Sequence, residues 1–393
     1  MGVPRDFFEP RMLPPLMMAV STGLIDLFPG YVLGIFSSLL SAIPVLLFIY
    51  PQLLSLRGTI GGIFSGRLST ALHLGEMKPG LLGNTPEFYT LLSVVSTLYL
   101  IASLVVSGFT AFFSLVFFSL PISTVFSLVM HVLATFSLTQ LSTIPVVIAV
   151  SKISYRRGWD PDIITYPFTS SIGDLFITIY FLGVGALIYF SGLIELPIIL
   201  SFPLFILPFM IMRLGLEHDL YIREMRESIV SLVISGFIVV GTGYLLKSLE
   251  RYIVTRPYIY FIYPALLTTI GDVGSIVGSS ATTGLNMSGD PLHELRPIAY
   301  LIILSIMIPV LFMLYTYLGG LLVGGSLGVD WEEILKVGLA GLVATLMISG
   351  LSIVISFITF RRSLDPDHFV IPIESTSADL FTTLVLYIVL AGI

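Results

Sequence analysis

Apolar residues run through this chain in long stretches that break at Pro, Gly or clusters of charge and do not alternate with polar positions. A helix needs about 20 apolar residues to cross the hydrocarbon core of a bilayer. Stretches of that order lie near 13 to 36, 41 to 72, 88 to 115, 121 to 151, 163 to 190 and 194 to 215. After a polar segment from Glu217 to Glu227 they resume near 228 to 248, 257 to 286, 297 to 322, 333 to 358 and 368 to 392. The pattern predicts an all-α integral membrane protein of about eleven transmembrane helices, multi-pass in the cell membrane.

Composition agrees. The chain is 56% hydrophobic and 11% charged, with a mean hydropathy of +1.02, where soluble domains carry about 25% charged residues. Short loops between eleven spans leave no room in 393 residues for a separate soluble domain. With no cysteine, disulfides and thiolate metal sites are excluded. The first residues lack the basic region, apolar stretch and small-residue site of a signal peptide, and Met1-Gly2 lacks a myristoylation motif. With the N-terminus placed inside, inner loops hold twelve of the eighteen basic residues and outer loops hold Lys247, Arg251, Arg256 and Lys336. That bias predicts a cytoplasmic N-terminus and an external C-terminus.

The chain also repeats itself. Residues 50–72 match 263–285 at nine of 23 positions, including Tyr50/Tyr263, Pro51/Pro264, Gly58/Gly271 and Gly61/Gly274. Residues 153–178 match 358–383 at twelve of 26 without a gap, among them the paired arginines, the Asp-Pro-Asp triplet and a lone aspartate. Hydrophobic composition alone would align Leu with Leu, not these residues. Each repeat has five spans, and the sixth span crosses once more before the second copy begins. The expectation is therefore two parallel five-helix repeats joined by a linker transmembrane helix, related about an axis along the membrane normal. The boundaries are 1–192 for the first repeat, 193–225 for the linker and 226–393 for the second.

Ionisable side chains in hydrocarbon are expensive and usually face a partner or a water-filled path. Here they are Asp26, Asp174, Asp272, Glu374 and Asp379, with Arg57 and Arg67. Asp174 and Asp379 are repeat equivalents, and each has identical polar residues four before and four after: Ser170 and Thr178, Ser375 and Thr383. Spacing of four puts all three on one helix face, a stripe of oxygens about 12 Å long at 1.5 Å per residue. Hard cations such as Mg2+ are bound by carboxylate, hydroxyl, carbonyl and water oxygens. The bland reading has Ser and Thr back-bonding to their own helix and Asp joining helices. Thr59 and its repeat mate Asp272 stand beside glycines spaced by four, Gly58, Gly62 and Gly66 in one copy and Gly274 and Gly278 in the other. Such glycines usually serve close helix packing. Arg57 and Arg67 meet Ile270 and Ser280, so the halves are chemically unequal.

Other motifs carry less. Asp160-Pro161-Asp162 and Asp365-Pro366-Asp367 read as ordinary helix starts. The five histidines have no metal-ligand spacing, and Gly324 to Gly328 fits a serine-nucleophile pattern in an outer loop without a base, so no enzyme is expected.

Tyr50-Pro51-Gln52-Leu53-Leu54 through Gly58, followed by Ser65-Gly66-Arg67-Leu68-Ser69-Thr70, resembles the signature of MgtE-like magnesium solute carriers, the doubled-domain relatives of bacterial MgtE. Asp160-Pro161-Asp162, Pro167, Ser170-Ser171 and Gly173-Asp174-Leu175 resemble the last-helix motif of the same family. The resemblance implies five helices per unit, Mg2+ or a similar divalent cation as the transported ion, a pore lined by the second and fifth helices of each unit, and Asp174 and Asp379 as its aspartates. The family's Gly-Asn is Gly58-Thr59 in one half and Gly271-Asp272 in the other. Expected partners are membrane lipid and divalent cations, with no nucleic acid, and a monomer acting as a pseudo-dimer. The metal-contacting set is Asp174, Asp379, Ser170, Thr178, Ser375, Thr383, Asp272 and Thr59. The alternative is a Na+- or H+-coupled secondary transporter of another small solute, using the same carboxylates.

Overall fold

The computed structural model describes residues 22–78, 83–157, 161–286, 291–324, 329–361 and 366–391. Residues 1–21, Asp160, Asp365 and most of the Gly324 to Gly328 segment lie outside them, as do the side chains of Asp162 and Asp367. The described residues are helices joined by short turns, with no strand among them.

The long helices are α1 (Thr22–Ile35), α2 (Val45–Leu74), α3 (Pro86–Val116), α4 (Ile122–Arg157), α5 (Pro161–Tyr189), α6 (Glu195–Met212), α7 (His218–Ser248), α8 (Tyr258–Asn286), α9 (Pro291–Gly324), α10 (Trp331–Arg361) and α11 (Pro366–Ala391). Short helices Ser37–Ala42 and Glu250–Thr255 join α1 to α2 and α7 to α8. Ten of the eleven are long and apolar enough to cross a membrane, and the described part of α1 is the shorter eleventh. The chain is a multi-pass membrane protein. Its ends follow local rules: Pro86 opens α3 behind Thr85, and Gly75 closes α2 with φ 73°, its N–H returning to the helix.

Compactness groups these helices into two units, one of residues 38–247 and one of residues 1–37 with 248–393. In the first, α2 packs on α3, α4 and α5, while α6 lies against α3 and α4. The apolar window of α2 is 94% buried and that of α6 only 28%. Helix α2 is thus a hub, and α6 turns Phe202, Phe209 and Met210 outward as lipid-facing surface. In the other unit α8 is the hub, packing on α9, α10, α11 and α1.

The units therefore do not coincide with the repeats. Helix α1 opens the first repeat yet packs on α8 of the second, and α7, its equivalent, packs within the unit of the first. Glycines make both contacts. A Cβ at Gly30 would land on the carbonyl oxygen of Phe261, and a Cβ at Gly243 on that of Phe48. Gly30 and Gly243 are separated by the same interval as Phe48 and Phe261, as are Gly23 and Gly236. The duplication thus extends into the first helix, where five identities in fifteen positions (22–36 against 235–249) are too few to stand out from apolar background.

Candidate functional site

Each unit joins its second and fifth repeat helices by the same tyrosine–threonine link. The hydroxyl of Tyr50 on α2 lies 2.9 Å from that of Thr178 on α5, and Tyr263 on α8 lies 2.9 Å from Thr383 on α11. Both threonines also donate to their own helix, Thr178 to the carbonyl of Asp174 at 2.6 Å and Thr383 to that of Asp379 at 2.7 Å. The aspartate is the residue one turn back, so the tyrosine fixes the rotation of the helix that presents it. Both aspartates are buried, at 7% exposure each. Thr178 and Thr383 thus each donate a proton to the backbone and share a hydrogen bond with a tyrosine. The two tyrosines had stood in the repeat alignment without a role.

Around Asp174 the first repeat adds a charge. Arg57, projecting from α2 and 2% exposed, pairs with Asp174 through Nη2. The same nitrogen donates to the Ser170 carbonyl at 2.9 Å and to its hydroxyl at 3.3 Å. A Cβ at Gly173 would strike the guanidinium, so glycine there makes the room. In the second repeat Ile270 replaces Arg57, and Ala378 replaces Gly173. The arginine and its notch occur together, and so do their replacements. Reading the mismatched columns of the two repeats jointly would have revealed the pair.

Thr59 and Asp272 also part company. Thr59 is buried and bonds back to Ser55 at 3.1 Å. Asp272 accepts from Thr22 of α1 at 2.5 Å, and Asp26, one turn further along α1, is fully buried. Asp272 is thus held by the helix that the first repeat contributes to this unit. Ser375 is half-buried beside Asp379 on α11. Arg67 meets Glu224 of α7 at 3.0 Å, partly buried. His131 is fully buried and bonded to the Phe181 carbonyl at 2.6 Å, a structural histidine. Among the described residues no three His, Cys, Asp or Glu side chains gather as a resident metal site would require.

The family model of the divalent cation transporter MgtE matches residues 50–184 and again 263–389, well over half of the chain. The chain belongs to the MgtE divalent cation transporter family. No curated protein and no solved structure matches it significantly. As an MgtE-family protein it is an ion transporter and not an enzyme, and the two matched regions are its internal repeats. Each region begins at the tyrosine of the polar link, Tyr50 or Tyr263, and extends beyond Asp174 or Asp379.

Proposed function

We propose that the ion carried is Mg2+, and that it crosses the membrane along a path between the two repeats at the level of Asp174 and Asp379. The observation that carries this reading is the repeated tyrosine–threonine link, which holds one buried aspartate at the same turn of the same helix in each unit. Mg2+ sheds water reluctantly and is commonly held by one or two carboxylates with several waters, so two aspartates are a sufficient charged set. Ser170 and Ser375 orient waters, while Thr178 and Thr383 hold the helices that carry the ligands. Thr59 and Asp272 lie on the second helix of each repeat, beside the same path. Arg57 balances Asp174 until a dication arrives. The same reading takes 1–192 and 226–393 as parallel repeats about the linker 193–225, with the N-terminus cytoplasmic.

The test is Mg2+ flux into vesicles reconstituted with the purified chain, read by an entrapped indicator. Asp379→Asn and Asp174→Asn each keep the side-chain shape and remove a charge, and each is expected to lower flux at least tenfold while the protein still folds. Adding Arg57→Gln to Asp174→Asn should recover part of the flux, since it removes the guanidinium left without its partner. Parental flux from a doubly substituted Asp174→Asn, Asp379→Asn protein would make both aspartates structural and end this assignment.

A further inference from the structure

Helix α11 carries another carboxylate, Glu374, five residues before Asp379, where the first repeat has Thr169. It is 0% exposed, and among the described residues neither carboxylate oxygen has a hydrogen bond of ordinary geometry, the Ser352 hydroxyl coming nearest to giving one. Glycines of α8 make its space. A Cβ at Gly278 would strike its Oε1, and a Cβ at Gly274 would lie 3.5 Å from Ser352 Oγ and 3.6 Å from Glu374 Cβ. Helix α10 forms the third wall with Thr345, Ser349, Ser352 and Ser356, spaced four, three and four apart and all buried. Ser356 donates to the Gly278 carbonyl at 3.1 Å. Among the described residues the hydroxyls of Thr345 and Ser349 have no partner, and that of Ser352 faces Glu374. Thr359 on the same helix shows the usual alternative, donating to the Ile355 carbonyl at 2.8 Å.

An enclosed carboxylate without a countercharge is costly, and buried polar groups are rarely left unmatched. Of the other charged residues described on these helices, Asp379 lies five residues further along α11, and the rest are engaged elsewhere: Asp272 with Thr22, Glu333 with Arg256, Glu332 with Lys336 and Arg361 over Phe357. What the notch offers is one negative charge and a set of neutral oxygens. We propose that Glu374, with Ser349 and Ser352, is a binding site for a monovalent metal cation such as Na+, separate from the divalent path. A single carboxylate neutralises a single positive charge, whereas Mg2+ would keep an excess charge and needs room for several waters.

The first repeat has no such site. Its matching positions are Thr169, Ile144 and Val147. A small cavity there is bordered by Arg57, Gly61, Thr143, Val147, Thr169 and Ser170, so the protein supplies its own cation. One site per chain is expected.

The experiment is equilibrium binding of radiolabelled Na+ to the purified full chain in detergent, in choline buffer at fixed pH. Saturable binding of one Na+ per chain is expected, weakened at least tenfold by Glu374→Gln and severalfold by Ser349→Ala with Ser352→Ala. The serine pair serves as the second variant should the glutamine protein misfold. Absence of saturable Na+ binding, parental binding by Glu374→Gln, or a response to pH alone would overturn the site. Binding lost in Asp379→Asn but kept in Glu374→Gln would move it to the divalent path and overturn it equally. The readout is binding and not flux, so its failure and that of the Mg2+ reading are distinguishable.

Discussion

The space enclosed by the second, fourth and fifth helices of each repeat is filled in opposite ways. In the first repeat Arg57 reaches Asp174 across α2 and α5, and Gly173 opens the way for the guanidinium. In the second, Ile270 takes the place of Arg57 and is fully buried, Ala378 closes the notch, and the charge there is Glu374, lodged against Gly278. What both keep is the frame: a tyrosine on the second helix, a threonine on the fifth, and an aspartate one turn away. The difference teaches that duplication preserved the parts that aim the aspartate and left the surrounding charge free to diverge. Each divergent charge carries its own local fit, a glycine for the arginine in one copy and a glycine for the glutamate in the other.

Making the repeats alike is the strongest way to break this comparison. Ile270→Arg with Ala378→Gly rebuilds the first repeat's ion pair around Asp379. A guanidinium about 5 Å away opposes a dication by about 7 kcal/mol at an effective dielectric near 20. Mg2+ flux in reconstituted vesicles should therefore fall at least tenfold, while Ala378→Gly alone should leave it near the parental rate. Unchanged flux in the double variant would place Asp379 outside the path.

A smaller effect is expected on stability. Arg57→Leu leaves Asp174 buried without its countercharge, an arrangement that destabilises by about 3–5 kcal/mol, and Asp174→Asn added to it should restore most of the loss. Thermal unfolding in detergent across the four proteins of this cycle measures the coupling. A coupling near zero would mean that the pair does not hold α2 to α5.

Smallest and most even should be the loss from Tyr50→Phe and Tyr263→Phe. Each removes one hydroxyl from one buried hydrogen bond, about 0.5–1.5 kcal/mol, and the repeats should respond alike. Unequal losses by the same unfolding assay would show that the shared frame is not shared in energy.

Much of the architecture was legible in the sequence because lipid enforces it. Every backbone group in the bilayer must be satisfied within its own segment, so long apolar runs become helices, and ten of them match described spans. Asp174 and Asp379 were legible because a repeated aspartate in hydrocarbon has few explanations. The partners of these residues were not. Arg57 was visible as an ionisable residue without a mate, but its meeting with Asp174 depends on which faces α2 and α5 turn toward each other. Thr178 and Thr383 carry the same residue type whether they bind an ion or their own backbone, and the sequence does not distinguish a hydroxyl that is spent from one that is free. The packing of α1 was hidden for another reason. Gly23 and Gly30 recur as Gly236 and Gly243, but nothing in a repeat states which copy's helix they will touch.

That packing sets a timetable for biosynthesis. Helix α7 is made after α2, so the surface against which Gly243 closes already exists when α7 leaves the ribosome. Helix α1 has no such welcome, because Gly30 awaits Phe261 and Thr22 awaits Asp272. At synthesis rates of about 5–20 residues per second, the segment from Ile35 to Tyr258 occupies the ribosome for on the order of ten seconds or more. Throughout that interval α1 waits for the α8 surface that Gly30 and Thr22 meet, so a helix made before α2 settles after it.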